Sequence, residues 1–242
     1  MVLNTWKARF CGLAVLASAG LLSARSASAA TVIDAFDAPA MPGPAYLITT
    51  LNTHAPISSS ETMSGLSHVI GGDRTVDMTL ATGAGEMQTD LNRYEHGVAT
   101  INCTDGVIGT FAFKYGFGPS GLLNADLSAD HFFTMDFADA DQAGGQLTLL
   151  VTSGAEASTP LTRSASINIP AGGGHLVLPF SAFTGINFAD VDQLSYQITG
   201  PASYDATIGN FATAVPLPSA AWAGLGLLGA LGANRIRRIR NA

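Results

Sequence analysis

Apolar and polar residues alternate along most of the chain with a period close to two, which is typical of β-strands that bury one face. Glycine, aspartate, asparagine and proline interrupt the alternation at intervals of about eight to twelve residues and mark turns. No stretch of comparable length has the 3.6-residue period of an amphipathic helix. The pattern predicts strands at Thr31 to Phe36, Tyr46 to Leu51, Arg74 to Leu80, Val98 to Cys103, Gly109 to Tyr115, His131 to Phe137, Gln146 to Thr152, Arg163 to Ile169, His175 to Phe180, Gln193 to Thr199 and Thr207 to Phe211.

Short glycine-rich turns between consecutive strands predict antiparallel pairing. The spacing of cysteine, tryptophan and cysteine that marks immunoglobulin domains is absent, so a jelly roll is favoured. The sequence therefore predicts an all-β fold with a single antiparallel β-sandwich (jelly-roll-like) domain over residues 31–214. The segments Leu176 to Phe183, Phe188 to Ile198 and Ala206 to Phe211 resemble the last strands of galactose-binding-like jelly rolls, many of which are carbohydrate-binding modules. This resemblance implies a fold more than an activity.

Residues 1–30 have the pattern of a secretory signal peptide. Lys7 and Arg9 give a positive start, Phe10 to Leu22 is a short apolar run, and Ala27 to Ala29 is small-x-small. We expect signal peptidase to remove this segment, so that the exported chain begins near residue 30 or 31.

The C-terminal residues 215–242 combine a proline turn, an apolar stretch and an arginine cluster. The twenty residues from Val215 to Asn234 carry no charge, and a helix of that length spans roughly the hydrocarbon core of a bilayer, about 30 Å. Arginine is costly to move across a membrane, so the cluster is a stop-transfer signal that keeps the body outside. The stop-transfer residues are Arg235, Arg237, Arg238 and Arg240.

This tail resembles the C-terminal sorting signals of exosortase-processed Gram-negative surface proteins, the PEP-CTERM group, and particularly their VPLPA-CTERM variant. The matching sorting motif is Val215, Pro216, Leu217 and Pro218, followed by Ser219 where that variant usually has alanine. The resemblance implies an inner-membrane intermediate, an exosortase-like sorting enzyme as partner, and delivery to the cell surface or extracellular matrix. A plain single-span anchor is the alternative.

The charge of the body excludes some partners. All eighteen acidic residues but only four of the eleven basic residues lie in it, so its net charge is −14, against −7 for the whole chain. Such a surface repels nucleic acid and anionic lipid and favours divalent cations. Asp136, Asp139 and Asp141 are a candidate calcium site because Ca²⁺ prefers oxygen ligands, but they fit no EF-hand and solvated acidic turns are the favoured interpretation. No cofactor is otherwise predicted.

A carbohydrate-binding interpretation requires aromatic side chains that stack on sugar rings. Both tryptophans, Trp6 and Trp222, lie in the predicted processed ends. Tyr94 and Tyr115, which have polar or glycine neighbours, are the candidate ligand-binding residues, although ordinary sheet or loop positions are the favoured interpretation. Catalytic motifs for zinc, serine or phosphate chemistry are absent, and no catalytic residue is predicted.

These patterns predict an exported, non-enzymatic protein of the cell surface or matrix, with a structural or matrix-associated role as the first hypothesis. A carbohydrate-binding module for extracellular polysaccharide is the alternative, and a polysaccharide-degrading enzyme ranks third.

Overall fold

The alternation of apolar and polar residues is realised as strands. The computed structural model describes residues 30–36, 46–47, 53–54, 57–91, 97–156 and 159–215, and within these ranges the chain forms no α-helix. The strands are β1 (Val32–Asp34), β2 (Tyr46–Leu47), β3 (Thr53–His54), β4 (Ile57–Met63), β5 (Arg74–Thr82), β6 (Ala84–Gly85), β7 (Met87–Leu91), β8 (Ala99–Cys103), β9 (Ile108–Tyr115), β10 (Phe132–Ala140), β11 (Gly145–Ser153), β12 (Leu161–Ile169), β13 (Gly174–Pro179), β14 (Val191–Thr199) and β15 (Ala206–Ala214). Short 3₁₀ segments span Ile70–Gly72 and Phe180–Ala182.

Two antiparallel sheets form the body. The first has the order β13-β10-β15-β8-β7-β2, with β1 pairing to β15 as a seventh strand, and the second has the order β12-β11-β14-β9-β5-β4. Strands β3 and β6 form a separate two-stranded sheet. The predicted all-β sandwich of two antiparallel sheets is therefore confirmed.

The core lies between the sheets because each strand turns its apolar residues to the same side. In β9, Phe111, Phe113 and Tyr115 are buried, whereas Thr110 and Lys114, which have the opposite strand parity, are more exposed. Phe211 of the seven-stranded sheet contacts the other sheet edge-to-face through Tyr196, with ring centroids 5.3 Å apart. Full burial of such side chains contributes about 1.5–3 kcal/mol each.

One ion pair is buried in this core. Asp34 and Arg74 are 0% and 1% exposed, and the Arg74 Nε lies 2.8 Å from Asp34 Oδ2. The Tyr115 hydroxyl donates to the same Oδ2 at 2.8 Å, and the Phe36 amide donates to Oδ1 at 2.8 Å. Burial raises the pKa of the Asp34 carboxyl, and Arg74 and the two hydrogen bonds oppose that shift. The cluster ties β1 to β5 and β9.

Residues 1–29 and 216–242, which hold most of the predicted signal peptide and sorting tail, lie outside the described ranges. Among the residues that the structure describes, no helix is long and apolar enough to cross a membrane.

Candidate functional site

A polar groove of about 410 Å³ lies on the outer face of the seven-stranded sheet, over strands β7, β8, β15 and β10. Its volume is within the range of small-molecule sites, but such sites are usually apolar. Eight of its ten lining residues have polar side chains. The lining residues are Gln88, Asp90, Thr100, Ile101, Asn102, Asp139, Asp141, Asp205, Ala206 and Thr207.

Strand alternation places these polar groups on the outside. In β8, Ala99, Ile101 and Cys103 are buried, whereas Thr100 is half-buried and Asn102 is exposed. In β15, Thr207 is half-buried between the buried Ala206 and Ile208. The apolar residues that fill the core thus force their polar neighbours into the groove.

Sheet register aligns the polar residues in a row across four adjacent strands. Asp90 of β7 lies opposite Thr100 of β8, Thr100 lies opposite Thr207 of β15, and Thr207 lies opposite Asp139 of β10. Adjacent strands are about 4.8 Å apart, so the row is about 14 Å long and runs perpendicular to the strands. This length suits an extended ligand rather than a compact one.

A bulge in β10 brings Asp139 into this row. Phe137 pairs with Ile208, but Asp139 rather than Ala138 pairs with Thr207, so β10 has one extra residue at this point. Bulges re-aim side chains and are frequent near functional sites. Without the extra residue, Ala138 would occupy the position opposite Thr207.

Asp141 and Asp205 form one end of the groove and are held by backbone groups. The Asp205 amide donates to Asp141 Oδ1 at 3.0 Å, and the Cys103 amide donates to Asp205 Oδ1 at 2.9 Å. Burial raises the pKa of Asp205, the Cys103 amide opposes the shift, and the nearby charge of Asp141 adds to it. The two carboxylates are therefore fixed acceptors, and their remaining lone pairs are available to a ligand.

The thiol below this end of the groove is chemically quiet. Cys103 is 5% exposed, and burial together with Asp205 and Asp141 raises its pKa to about 12. The thiolate is the nucleophilic form of cysteine, so this residue does not supply nucleophilic chemistry at neutral pH.

The structure separates the three aspartates predicted as a calcium site. Asp136 pairs with His175 of β13, with its Oδ1 2.6 Å from the imidazole Nδ1, whereas Asp139 and Asp141 line the groove. At about 3.3 Å per residue, Asp136 lies about 10 Å from Asp139 along β10. Within the described residues, no group of three or more histidine, cysteine, aspartate or glutamate side chains converges to hold a metal ion. The three aspartates do not form the predicted site.

The prediction that Tyr115 contacts a ligand is wrong. Its side chain is fully buried and its hydroxyl donates to Asp34, because Tyr115 has the same strand parity as Phe111 and Phe113. Tyr94, the other predicted ligand-binding residue, lies outside the described ranges, as do Pro216, Leu217, Pro218 and the four stop-transfer arginines. Val215 is half-buried directly after β15.

Sequence reasoning did not identify Gln88, Asp90, Asn102, Asp205 or Thr207 as site residues. The one local signal was a polar residue at most outward positions of strands whose inward residues are mainly apolar. That signal is common to every solvated sheet face, so only the register reveals the groove.

Comparisons with known proteins find similarity of structure alone. No protein-family profile matches the chain, and no curated protein matches it. A family 11 carbohydrate-binding module from Clostridium thermocellum, solved with a β-1,3-1,4-mixed-linked tetrasaccharide, is 14% identical, with 78% of this chain and 96% of that chain covered and a TM-score of 0.41. A family 30 carbohydrate-binding module of a Clostridium thermocellum cellulosomal cellulase is 11% identical, with 71% and 99% covered and a TM-score of 0.38. Similarity at this level carries no information on ligand or activity.

Proposed function

We propose that the folded body is a non-catalytic polysaccharide-binding module and that its ligand lies in the polar groove. The observation that carries the proposal is the row of polar side chains that crosses four strands in register. Carboxylate, amide and hydroxyl groups match the hydroxyl groups of a sugar chain, which both donate and accept hydrogen bonds. This proposal ranks the carbohydrate-binding alternative above a purely structural role in the matrix.

The charge of the groove restricts the ligand class. Four of the ten lining residues are aspartates and none of the ten is basic. Hydrogen bonds to ionised carboxylates are about twice as strong as neutral ones, so neutral hydroxyl groups and ammonium groups bind well there. Carboxylate or sulfate groups on a polymer are repelled. The expected ligands are neutral or amino-sugar polysaccharides rather than acidic ones.

A non-catalytic role is part of the same proposal. The groove contains carboxylates, but in a body with eighteen acidic residues their presence does not indicate a catalytic pair. The Cys103 thiol is held protonated, and His175 is paired with Asp136 outside the groove lining.

We also propose that the chain is exported and delivered to the cell surface or matrix by its PEP-CTERM-like tail, through an inner-membrane intermediate. The position of the groove is compatible with such anchoring. Thr207 lies in the groove near the start of β15, and the predicted tail begins at Val215 after the strand ends. Eight residues of extended strand span about 26 Å. A ligand in the groove is therefore well removed from the point where the tail leaves the body.

Binding to immobilised polysaccharide tests the function. The variant Asn102→Ala/Thr207→Val removes two groove groups, and at about 0.5–1.5 kcal/mol per hydrogen bond the affinity should fall roughly tenfold. Thr148→Val is the matched control, because Thr148 lies on the six-stranded sheet, which does not carry the groove. Its hydroxyl is 2.8 Å from that of Ser166 on the neighbouring strand of the same sheet. The parent and the control should bind neutral polymers equally and acidic polymers weakly. Equal binding by the groove variant and the control would refute the proposed site.

Intact mass of the protein recovered from the host envelope and medium tests export. The expected product begins at residue 30 or 31 and ends in the motif Val215 to Pro218. Such a product lacks both tryptophans, so it should show no tryptophan fluorescence. A product that retains Arg235 to Arg240 would be a single-span membrane protein and would contradict the sorting proposal.

A further inference from the structure

Asp130, two residues before β10, is a buried carboxylate with no cationic partner among the residues that the structure describes. It is 4% exposed, and its Oδ2 accepts a hydrogen bond of 2.5 Å from the hydroxyl of Thr213. Its Oδ1 is buried and has no hydrogen-bond partner among the residues that the structure describes. A buried ionised carboxylate is costly unless it is paired. The position therefore calls for a positive charge that none of the described side chains supplies.

The hydroxyl that contacts Asp130 also contacts the start of the folded body. The backbone nitrogen of Thr31 donates to Thr213 Oγ1 at 3.0 Å, and the Thr213 amide donates to the Thr31 carbonyl at 2.8 Å. The nitrogen of Thr31 and the carboxylate of Asp130 thus share one oxygen as a neighbour. They can be no farther apart than the sum of the two hydrogen-bond lengths.

We propose that signal peptidase cleaves after Ala30, where Ser28 to Ala30 is a second small-x-small sequence, and that Asp130 binds the α-ammonium group created at Thr31. Hydrolysis breaks the bond between the Ala30 carbonyl carbon and the Thr31 nitrogen. Water supplies the second oxygen of the Ala30 carboxylate, and both of its hydrogens go to the Thr31 nitrogen, which becomes an ammonium group. An α-amino group has an ordinary pKa of about 7.7–8.0, so it is mostly protonated at neutral pH and carries three donors. One of these three N–H donors keeps the hydrogen bond to Thr213 Oγ1. The other two are available to the Asp130 carboxylate.

This pairing makes the mature protein more stable than its precursor. Before cleavage, the Thr31 nitrogen is a neutral amide with one donor, and no described side chain gives the Asp130 carboxylate a counter-charge. After cleavage, the positive charge on the Thr31 nitrogen neutralises the negative charge of the Asp130 carboxylate. The inference rests on the export half of the proposed function and is independent of polysaccharide binding.

The test uses the full-length chain, exported and processed in its host. A Gly-Ser insertion between Ala30 and Thr31 moves the new amine about two residues, up to roughly 7 Å, from its position. Parent and insertion variants are made in the native background, with Asp130→Asn, and with the control Asp126→Asn. Asp126 is exposed and accepts a bond from the Ser128 amide at 3.0 Å. N-termini are read by mass, and stability by urea unfolding.

The insertion should lower the folding equilibrium constant at least tenfold in the native and Asp126→Asn backgrounds, and less than twofold with Asp130→Asn. If Asp130→Asn does not fold, acetylation of the α-amine in the processed parent provides the second measurement, and it should reproduce the tenfold loss. An insertion effect that is the same with and without Asp130 overturns the proposal. Unchanged stability after acetylation, or a native N-terminus other than Thr31, also overturns it.

Discussion

Replacement of Asp34 by asparagine is the sharpest test of what holds the sandwich together. The amide has nearly the same shape as the carboxylate, and its oxygen can still accept the Phe36 amide. It removes the negative charge 2.8 Å from the Arg74 Nε, however, and leaves a guanidinium that is 1% exposed without a counter-ion among the described residues. Removing one partner of a buried ion pair costs about 3–5 kcal/mol, from a total stability of typically about 5–15 kcal/mol.

Urea unfolding followed by far-UV circular dichroism measures this loss as a lower midpoint at unchanged slope. The double variant Asp34→Asn/Arg74→Met removes the unpaired charge as well and should regain most of the stability, to within about 2 kcal/mol of the parent. Asp77→Asn is the matched control: Asp77 pairs with Lys114 near the surface, where both side chains are about a third exposed, and such pairs contribute about 0–1 kcal/mol. A loss below about 1 kcal/mol for Asp34→Asn, or no recovery in the double variant, would refute the reasoning.

Three further outcomes follow from the groove and its surroundings. Cys103 should resist alkylation at pH 8 until the protein unfolds. A thiol pKa of about 12 leaves a thiolate fraction on the order of 10⁻⁴ at this pH, against about a quarter for an ordinary thiol. Rapid labelling of the native protein would contradict this prediction. Asp205→Asn should gain stability relative to the parent as the pH rises from 4 to 7. Because the pKa of Asp205 is raised in the folded parent, the folded state binds this proton more tightly than the unfolded chain, and the parent loses that stabilisation as the carboxyl ionises. A difference between the two unfolding midpoints that stays constant from pH 4 to 7 would contradict this. Gly173→Ala should lower the thermal unfolding midpoint of the protein more than Gly172→Ala does. Both glycines have φ near +80°, but only a Cβ at residue 173 would lie 2.3 Å from the Phe137 carbonyl oxygen. Equal losses would show that this contact does not matter.

The strands of the core were predictable because their alternation is strong. Strands β5, β9, β11 and β14 lie close to the predicted ranges, since each alternates large apolar residues with polar ones. Strand β4, Ile57–Met63, was missed because its interior is a run of serine, glutamate and threonine, and it lies at the edge of its sheet. An edge strand with few apolar residues has no periodic signal.

The site was less predictable than the fold because it depends on long-range register. Asp141 and Asp205 are 64 residues apart, and only the pairing of β10 with β15 brings them together. The bulge that turns Asp139 outward leaves no signature in its neighbours. The burial of Tyr115, in contrast, follows from its parity with Phe111 and Phe113, and it agrees with the ordinary sheet position that the sequence favoured for this residue.

The most direct test of polysaccharide binding in the groove is an NMR titration of the processed, ¹⁵N-labelled protein with oligosaccharides prepared from neutral polysaccharide of the host. Amide shifts should change along β7, β8, β15 and β10, centred on Thr100 and Thr207, and in Asn102→Ala/Thr207→Val the same changes should need roughly tenfold more oligosaccharide. Shift changes confined to other faces, or none at concentrations that saturate a millimolar site, would contradict the account.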